Sequence, residues 1–377
     1  MKVDKCRVCT NPFFGKPLLV FNNMPKTAQY LPKTVDLKNE RGVQLEVFQC
    51  SGCGLVQIGN KPVSYYKEVI RAAGVSAKMK DFRRRQLLGF IKKFSLKGKK
   101  IIEIGCGSGE YLSIINGLGV TAYGVEHSVE AVRSCRKKGL RVFKSFAAGS
   151  ARLPQGPFDA FLMFSFLEHL PEPNLALRGI FNNLKEEGVG IVEVPNFDMI
   201  ARTGLFSEFM TDHQIYFTQD TIRLALSING FEVLQCREIW DGYIISCIVR
   251  KKNKSDFSFF LGRQKKVCAG INRCLVALRG KRVAVWGAGH QALAVISLAG
   301  LSDKIKYVVD SAPFKQGRFT PASHIPIVHP SRLKIDPVDA VIVMAAAYSK
   351  EVAGIIKRDF KDKIKIFILK DYGLEAV

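Results

Sequence analysis

The chain has 377 residues, a hydrophobic fraction of 47% and a formal net charge of +24. That length suits two or three domains, each able to bury its own core. The first six residues lack the apolar run of a signal peptide and no apolar stretch reaches membrane-span length, so the reading is a cytoplasmic protein with no membrane partner. The ten cysteines are then expected as thiols or metal ligands rather than disulfides. The positive field would concentrate anions, but lysines and arginines are spread from end to end, with short clusters such as Arg83-Arg84-Arg85 that read as solvated surface.

Cys6-x-x-Cys9 and Cys50-x-x-Cys53 form two knuckles forty residues apart. Two such turns complete a four-thiolate zinc site, which with every ligand from protein is structural rather than catalytic. Between them, prolines and the alternation Val43–Phe48 predict loops and a short strand pair. Tyr65 and Tyr66 follow and could stack on a ligand or pack between domains. A basic amphipathic helix is expected over residues 77–94, with Phe82, Leu87, Leu88, Phe90 and Ile91 as its apolar stripe.

An α/β alternation begins at Lys100. The strand Lys100–Ile104 enters Glu103-Ile104-Gly105-Cys106-Gly107-Ser108-Gly109, where glycines at Gly105, Gly107 and Gly109 let the backbone turn with positive φ and approach a ligand. The G-x-G-x-G spacing, with an acid two residues ahead, differs from the dinucleotide G-x-G-x-x-G and resembles the S-adenosylmethionine loop of class I methyltransferases. That resemblance gives Glu103 the amino-acid half of the cofactor. Glu126 ends the second strand about twenty residues on, the position of a ribose-hydroxyl ligand. Strands at residues 141–143, 158–164 and 188–194 alternate with helices, which predicts a doubly wound parallel sheet with ligands at the carboxyl ends of its strands. Glu103, Glu126, His169 and Pro195 stand at such ends, and Glu168 has a structural and a ligand-binding reading. Residues 206–218 read as an irregular polar loop carrying Asp212, His213 and Tyr216, followed by a helix at 219–229 and strands at 231–236 and 243–249.

After a basic linker, a second α/β unit opens with Val283-Ala284-Val285-Trp286-Gly287-Ala288-Gly289 and a strand ending in Asp310, which on motif rules alone is a dinucleotide fingerprint. The expected division is therefore a zinc-binding domain at 1–70, a methyltransferase core at 71–252 and a Rossmann-like domain at 253–377.

Taken together, the paired knuckles, the methyltransferase core, Val309-Asp310-Ser311-Ala312-Pro313-Phe314-Lys315-Gln316-Gly317 and His324-Ile325-Pro326-Ile327 resemble the sugar C-methyltransferases that act on nucleotide-linked ketosugars. The resemblance implies that the last domain helps hold a nucleotide sugar and binds no NAD. It places His213 on the family's general base, with Asp212, Thr211 and Met210 standing where the family has glutamate, histidine and tyrosine. It implies enolate formation by His213, with Asp212 as a possible orienting acid and His169 polarising the ketone or binding the sugar. Tyr65, Tyr66 and Tyr216 become substrate contacts, and Lys315 and Arg318 become partners for a diphosphate. O-methyl transfer to a related sugar is the near variant. An RNA methyltransferase, an NAD-dependent oxidoreductase and a non-catalytic scaffold are the other readings. The sugar, the nucleotide and the oligomeric state are not set by the residues.

Overall fold

A computed structural model describes every residue except 1–2, 30, 68–74, 147–148, 150–151 and 362. The chain divides into two compact units, Met1–Asn253 and Lys254–Val377. Residues 1–70 and 71–252, separate domains in the sequence reading, lie together in the first.

In the first unit, β1 (Leu19–Met24), β2 (Val43–Gln49) and β3 (Val56–Ile58) form an antiparallel ribbon beside the two knuckles. The helix α1 (Ala77–Lys93) follows, capped by the Ser76 hydroxyl accepting from the Met79 amide. The helix matches its expected span, but its buried face differs. Leu88 is 44% exposed, whereas Arg83, at helical spacing from Leu87 and Phe90, is 1% exposed. Arg83 pairs with buried Glu193, its guanidinium lying 4.3 Å from the centroid of the Phe164 ring. The expectation of a solvated Arg83 is therefore corrected. Burying a charge needs a partner, and local periodicity does not show one 110 positions away.

The alternation then runs β4 (Lys100–Ile104), α2 (Glu110–Asn116), β5 (Thr121–Glu126), α3 (Val129–Lys137), β6 (Val142–Lys144), β7 (Phe158–Phe164) and α4 (Pro173–Asn182). It continues with β8 (Leu184–Pro195), α5 (Phe197–Thr203), β9 (Ile215–Tyr216), α6 (Gln219–Ile228), β10 (Phe231–Ile239) and β11 (Ile244–Lys251). Seven of these strands make one sheet in the order β10-β11-β8-β7-β4-β5-β6. The pairs β6–β5, β5–β4, β4–β7 and β7–β8 are parallel, and β11 is antiparallel between β8 and β10. This reversed strand near one edge of an otherwise parallel sheet is the class I methyltransferase topology. The order reverses at β4, between β5 and β7, where an open α/β sheet leaves a crevice for a ligand.

The polar loop is less irregular than expected, because β9 inside it pairs with β3. The ribbon therefore becomes a four-stranded sheet that holds residues 215–216. Leu45, Val47, Val56 and Ile58 pack with Phe209 and Tyr216, while Cys6, Val8, Cys50 and Leu55 join the core under the large sheet.

The second unit begins with α7 (Ser258–Ala277), then β12 (Val283–Trp286), α8 (His290–Leu298), β13 (Val308–Val309), β14 (Ile327–Val328), α9 (Arg332–Ile335) and β15 (Ala340–Val343). It ends with α10 (Ser349–Phe360), β16 (Lys365–Lys370) and β17 (Gly373–Ala376). Its sheet, in the order β14-β13-β12-β15-β16-β17, is parallel except for β17, as a Rossmann-like unit requires.

Candidate functional site

The glycine turn after β4 is built from left-handed backbone. Gly105, Gly107 and Gly109 have φ of +67°, +53° and +84°. A Cβ on Gly105 would lie 2.7 Å from the Phe166 ring, and one on Gly109 would lie 2.5 Å from Leu140. At Gly107 it would meet nothing within 4 Å, so the tip of the turn faces open space. Glu126 braces the tip, its Oε2 accepting from the Gly107 amide at 2.9 Å and its Oε1 from the amides of His127 and Ser128. Glu103 is buried at the end of β4. A small cleft opens beside this turn, lined by Gly105, Glu126, His127, Phe146, Phe166 and Lys67 among others. A glycine cradle with a strand-end carboxylate and aromatic walls fits an adenosyl cofactor. Phe146, Phe166 and Lys67 were missed from the sequence, because an isolated aromatic or lysine in a loop carries no periodic signal.

Phe166 belongs to the short turn after β7 that also carries Glu168 and His169. The backbone of Gln214 ties the histidine loop to this turn by donating to the Glu168 carbonyl at 2.8 Å. The rings of His169 and His213 thereby meet edge-on, centroids 4.7 Å apart. His169 Nδ1 lies 2.9 Å from the Asp212 carbonyl. A carbonyl only accepts, so Nδ1 carries the proton and Nε2 keeps its lone pair. Burial pushes His169 down to about 4. Burial, and then His169, pushes His213 down to about 3. Both rings are thus neutral at pH 7. Burial pushes the Glu168 carboxyl up to about 8.

Asp212 does not orient His213 through its side chain, which corrects one sequence expectation. Its Oδ1 accepts from the Tyr65 hydroxyl at 2.7 Å and its Oδ2 from the Ala28 amide at 3.0 Å. Adjacent side chains diverge here, and Asp212 positions Tyr65 and, through its carbonyl, His169. Tyr216 is also corrected: it is 3% exposed, and its hydroxyl accepts from the Met210 amide at 3.0 Å. It braces the loop by packing on Phe209 and Phe197 and offers a substrate no surface. Tyr66 packs partly buried against the core, with the Lys67 ammonium 5.6 Å from its ring centroid.

The four cysteines converge. Cys6 and Cys53 Sγ are 3.6 Å apart, Cys9 and Cys50 Sγ are 3.4 Å apart, and all four sulfurs lie within 4.8 Å of one another. Ligands about 2.3 Å from one tetrahedral ion stand roughly 3.8 Å apart, so the cluster fits a thiolate-bound metal. The amides of Val8 and Cys9 point at Cys6, and those of Gly52 and Cys53 at Cys50, as supports for thiolate charge. Inside the first knuckle, Arg7 reaches the histidine loop, donating from Nη2 to Gln214 Oε1 at 2.8 Å and from Nη1 to the Pro171 carbonyl at 3.1 Å. The cysteine cluster is therefore wired to the residue that follows His213.

In the second unit, Asp310 Oδ2 accepts from the Ala288 amide at 2.8 Å, as Glu126 does from Gly107. It differs in also pairing with Lys315 at 2.9 Å. The Lys315 charge is thus already matched within the domain, while Arg318 is exposed. A Cβ on Gly287, at φ +121°, would lie 2.5 Å from the Met344 carbonyl oxygen, so this glycine serves strand packing.

The family comparisons agree with this architecture. Residues 79–236 match the methyltransferase domain family, and residues 251–369 match the C-methyltransferase C-terminal domain. The chain belongs to the S-adenosylmethionine-dependent methyltransferases, among those whose core is followed by that C-methyltransferase domain. It is 21% identical to the C-methyltransferase NovU of Streptomyces niveus, over 93% of this chain and 91% of that one. A ubiquinone biosynthesis O-methyltransferase of Thiobacillus denitrificans is 32% identical, over 21% of this chain and 36% of its own. Among solved structures, an S-adenosylmethionine-dependent methyltransferase from Clostridium acetobutylicum matches with a TM-score of 0.40 and 15% identity, over 50% of this chain and 96% of that one. Among the described residues, no helix is long and apolar enough to cross a membrane.

Proposed function

We infer that the protein transfers a methyl group to a carbon of a nucleotide-linked ketosugar. One observation carries this reading: Phe166, a wall of the cofactor cavity, and His169, half of the histidine pair, lie on the same turn after β7. The cavity and the pair of neutral imidazoles are therefore neighbours. S-adenosylmethionine, when bound, supplies an electrophilic methyl group. Glu126 would hold the ribose hydroxyls, since a carboxylate accepting amides still has lone pairs to offer, and Glu103 would serve the amino-acid half.

Carbon becomes nucleophilic when a proton α to a ketone is removed. The His213 lone pair is the acceptor for that proton, because burial keeps the ring neutral. So low a proton affinity makes for a weak base on its own. The Glu168 carboxyl lies among the groups within 4.8 Å, but burial keeps it largely protonated at pH 7, so only its ionised fraction would hold the imidazolium as it forms. The Tyr65 hydroxyl, whose proton goes to Asp212, is a candidate acceptor from a sugar hydroxyl. The four cysteines would hold zinc, which fixes the knuckle from which Arg7 braces the loop.

The second unit is read as the nucleotide-sugar platform, with Arg318 its exposed cation for a diphosphate. The Lys315 pair supports this over NAD binding, since it already neutralises the acid that a dinucleotide ribose would use. The test is incubation with labelled S-adenosylmethionine and a panel of nucleotide-4-ketosugars, with deuterium exchange followed at the acceptor carbon. Carbon methylation with exchange is expected. Methyl transfer to oxygen without exchange would overturn the enolate route in favour of O-methylation, and tight NADH binding with none of S-adenosylmethionine would overturn the whole reading.

A further inference from the structure

Glu168 is buried without the hydrogen bonds a carboxyl needs. It is 1% exposed, and among the described residues neither carboxyl oxygen has a hydrogen-bond partner. A carboxyl withdrawn from water without hydrogen bonds can ionise there only if a cation comes with it. What faces it are two imidazoles: Oε1 lies 3.8 Å from His169 Nε2, and the donor atoms of Glu168, His169 and His213 all lie within 4.8 Å of one another.

We propose that Glu168, His169 and His213 form a second metal site, for a borderline divalent transition ion of the zinc class, distinct from the four-cysteine cluster. Two imidazoles and one carboxylate are a donor set suited to such ions, and three protein ligands leave a coordination position for water or a substrate oxygen. The second shell is already built. The Nδ1–H of His169 is held by the Asp212 carbonyl, which fixes the tautomer and aims Nε2 toward Glu168. That carbonyl is held in turn by the loop that Gln214 ties to the Glu168 backbone. Partly exposed His213 offers an entry path, whereas Glu168 and His169 are buried. A cation there gives the Glu168 carboxylate the partner that the fold does not supply.

The consequence rests on the proposed chemistry. An ion bound to His213 takes the lone pair needed for proton abstraction, so occupancy opposes enolate formation and metal availability regulates the enzyme.

The test measures metal stoichiometry on the whole chain, purified with Co(II) in its cysteine site, by elemental analysis and by further titration with Co(II). Wild type should hold two equivalents. One should give thiolate-to-cobalt charge-transfer absorption from the cysteines, and a second, weaker one should give only ligand-field bands. Glu168→Gln and His169→Gln should weaken the second by at least about tenfold, the lower limit for losing even a supporting contact, while the thiolate band reports that the fold persists. One equivalent in wild type, or a second equivalent unchanged in both variants, would overturn the site. Because the readout is binding, a failure to methylate ketosugars leaves this outcome untouched.

Discussion

Replacing Arg7 by alanine should disarm His213 without altering any residue of the cofactor cavity. The guanidinium donates to Gln214 Oε1 at 2.8 Å and to the Pro171 carbonyl at 3.1 Å, and its third contact, to the Asn60 carbonyl at 3.4 Å, is too long to weigh much. Hydrogen bonds from a charged donor contribute about 1.5–3 kcal/mol each. Two made by one group are not additive, and burial, which pushes Arg7 down to about 10, offsets part of the gain. A net loss of about 2–3 kcal/mol follows, or a Tm lowered by roughly 5–10 °C for a unit of this size. The larger effect falls on rate. Gln214 follows His213 directly and its amide holds the Glu168 turn, so a displacement of about 1 Å should lower kcat on the order of a hundredfold. The affinity for S-adenosylmethionine, measured by calorimetry, should hold to within about twofold. Arg7→Lys keeps the charge but loses the fork, and should fall between. Wild-type transfer rate and Tm in Arg7→Ala would refute the coupling of knuckle and loop.

Three further outcomes test other joints of the structure. Gly105→Ala places a Cβ 2.7 Å from the Phe166 ring at φ +67°; it should cost about 1–3 kcal/mol in strain and weaken S-adenosylmethionine binding by calorimetry. Arg83→Met leaves Glu193 buried without its ion-pair partner and should lower urea stability by about 3–5 kcal/mol, whereas the double change with Glu193→Met should recover most of it. Asp310 is raised by partial burial but pulled further down by the Ala312 and Ala288 amides and by Lys315, so its folded carboxyl titrates below its unfolded one. The stabilisation is therefore present above the unfolded value of about 3.9 and lost as pH falls through the folded value. Melting curves of wild type and Asp310→Asn should differ at neutral pH and converge in strong acid.

The parts of the fold visible in the residues are those where one local force dominates. The run Lys100–Ile104 is buried on both faces and stops at glycines that need left-handed backbone, so its limits as β4 could be placed to the residue. The same holds for Phe158–Phe164 as β7. β8 instead begins at Leu184, four residues before its expected start, because Lys185, Glu186 and Glu187 are exposed at its outer end and resemble a turn. The helix α5 was not anticipated, although Asn196 caps it by accepting from the Asp198 amide. Seven residues give too short a period to read.

The candidate site divides along the same line, and the division explains why charge misled. Glu103, Glu126 and the cysteines were legible as candidates because each belongs to a short motif of fixed spacing along the chain, and the four cysteines do converge. Arg7 and Arg83 were not, because each depends on an acceptor more than a hundred positions away, Gln214 for one and Glu193 for the other. A net charge of +24 offers many candidate surface cations, and nothing local separates a solvated arginine from one that holds a loop. β9 is the sharpest case. Two residues carry no strand pattern, yet their pairing with β3 fixes the loop end next to His213, and Arg7 holds Gln214 from the other side. The histidine is therefore positioned from the cysteine-bearing segment as well as from the methyltransferase sheet, and under the proposed chemistry that segment would help set its rate.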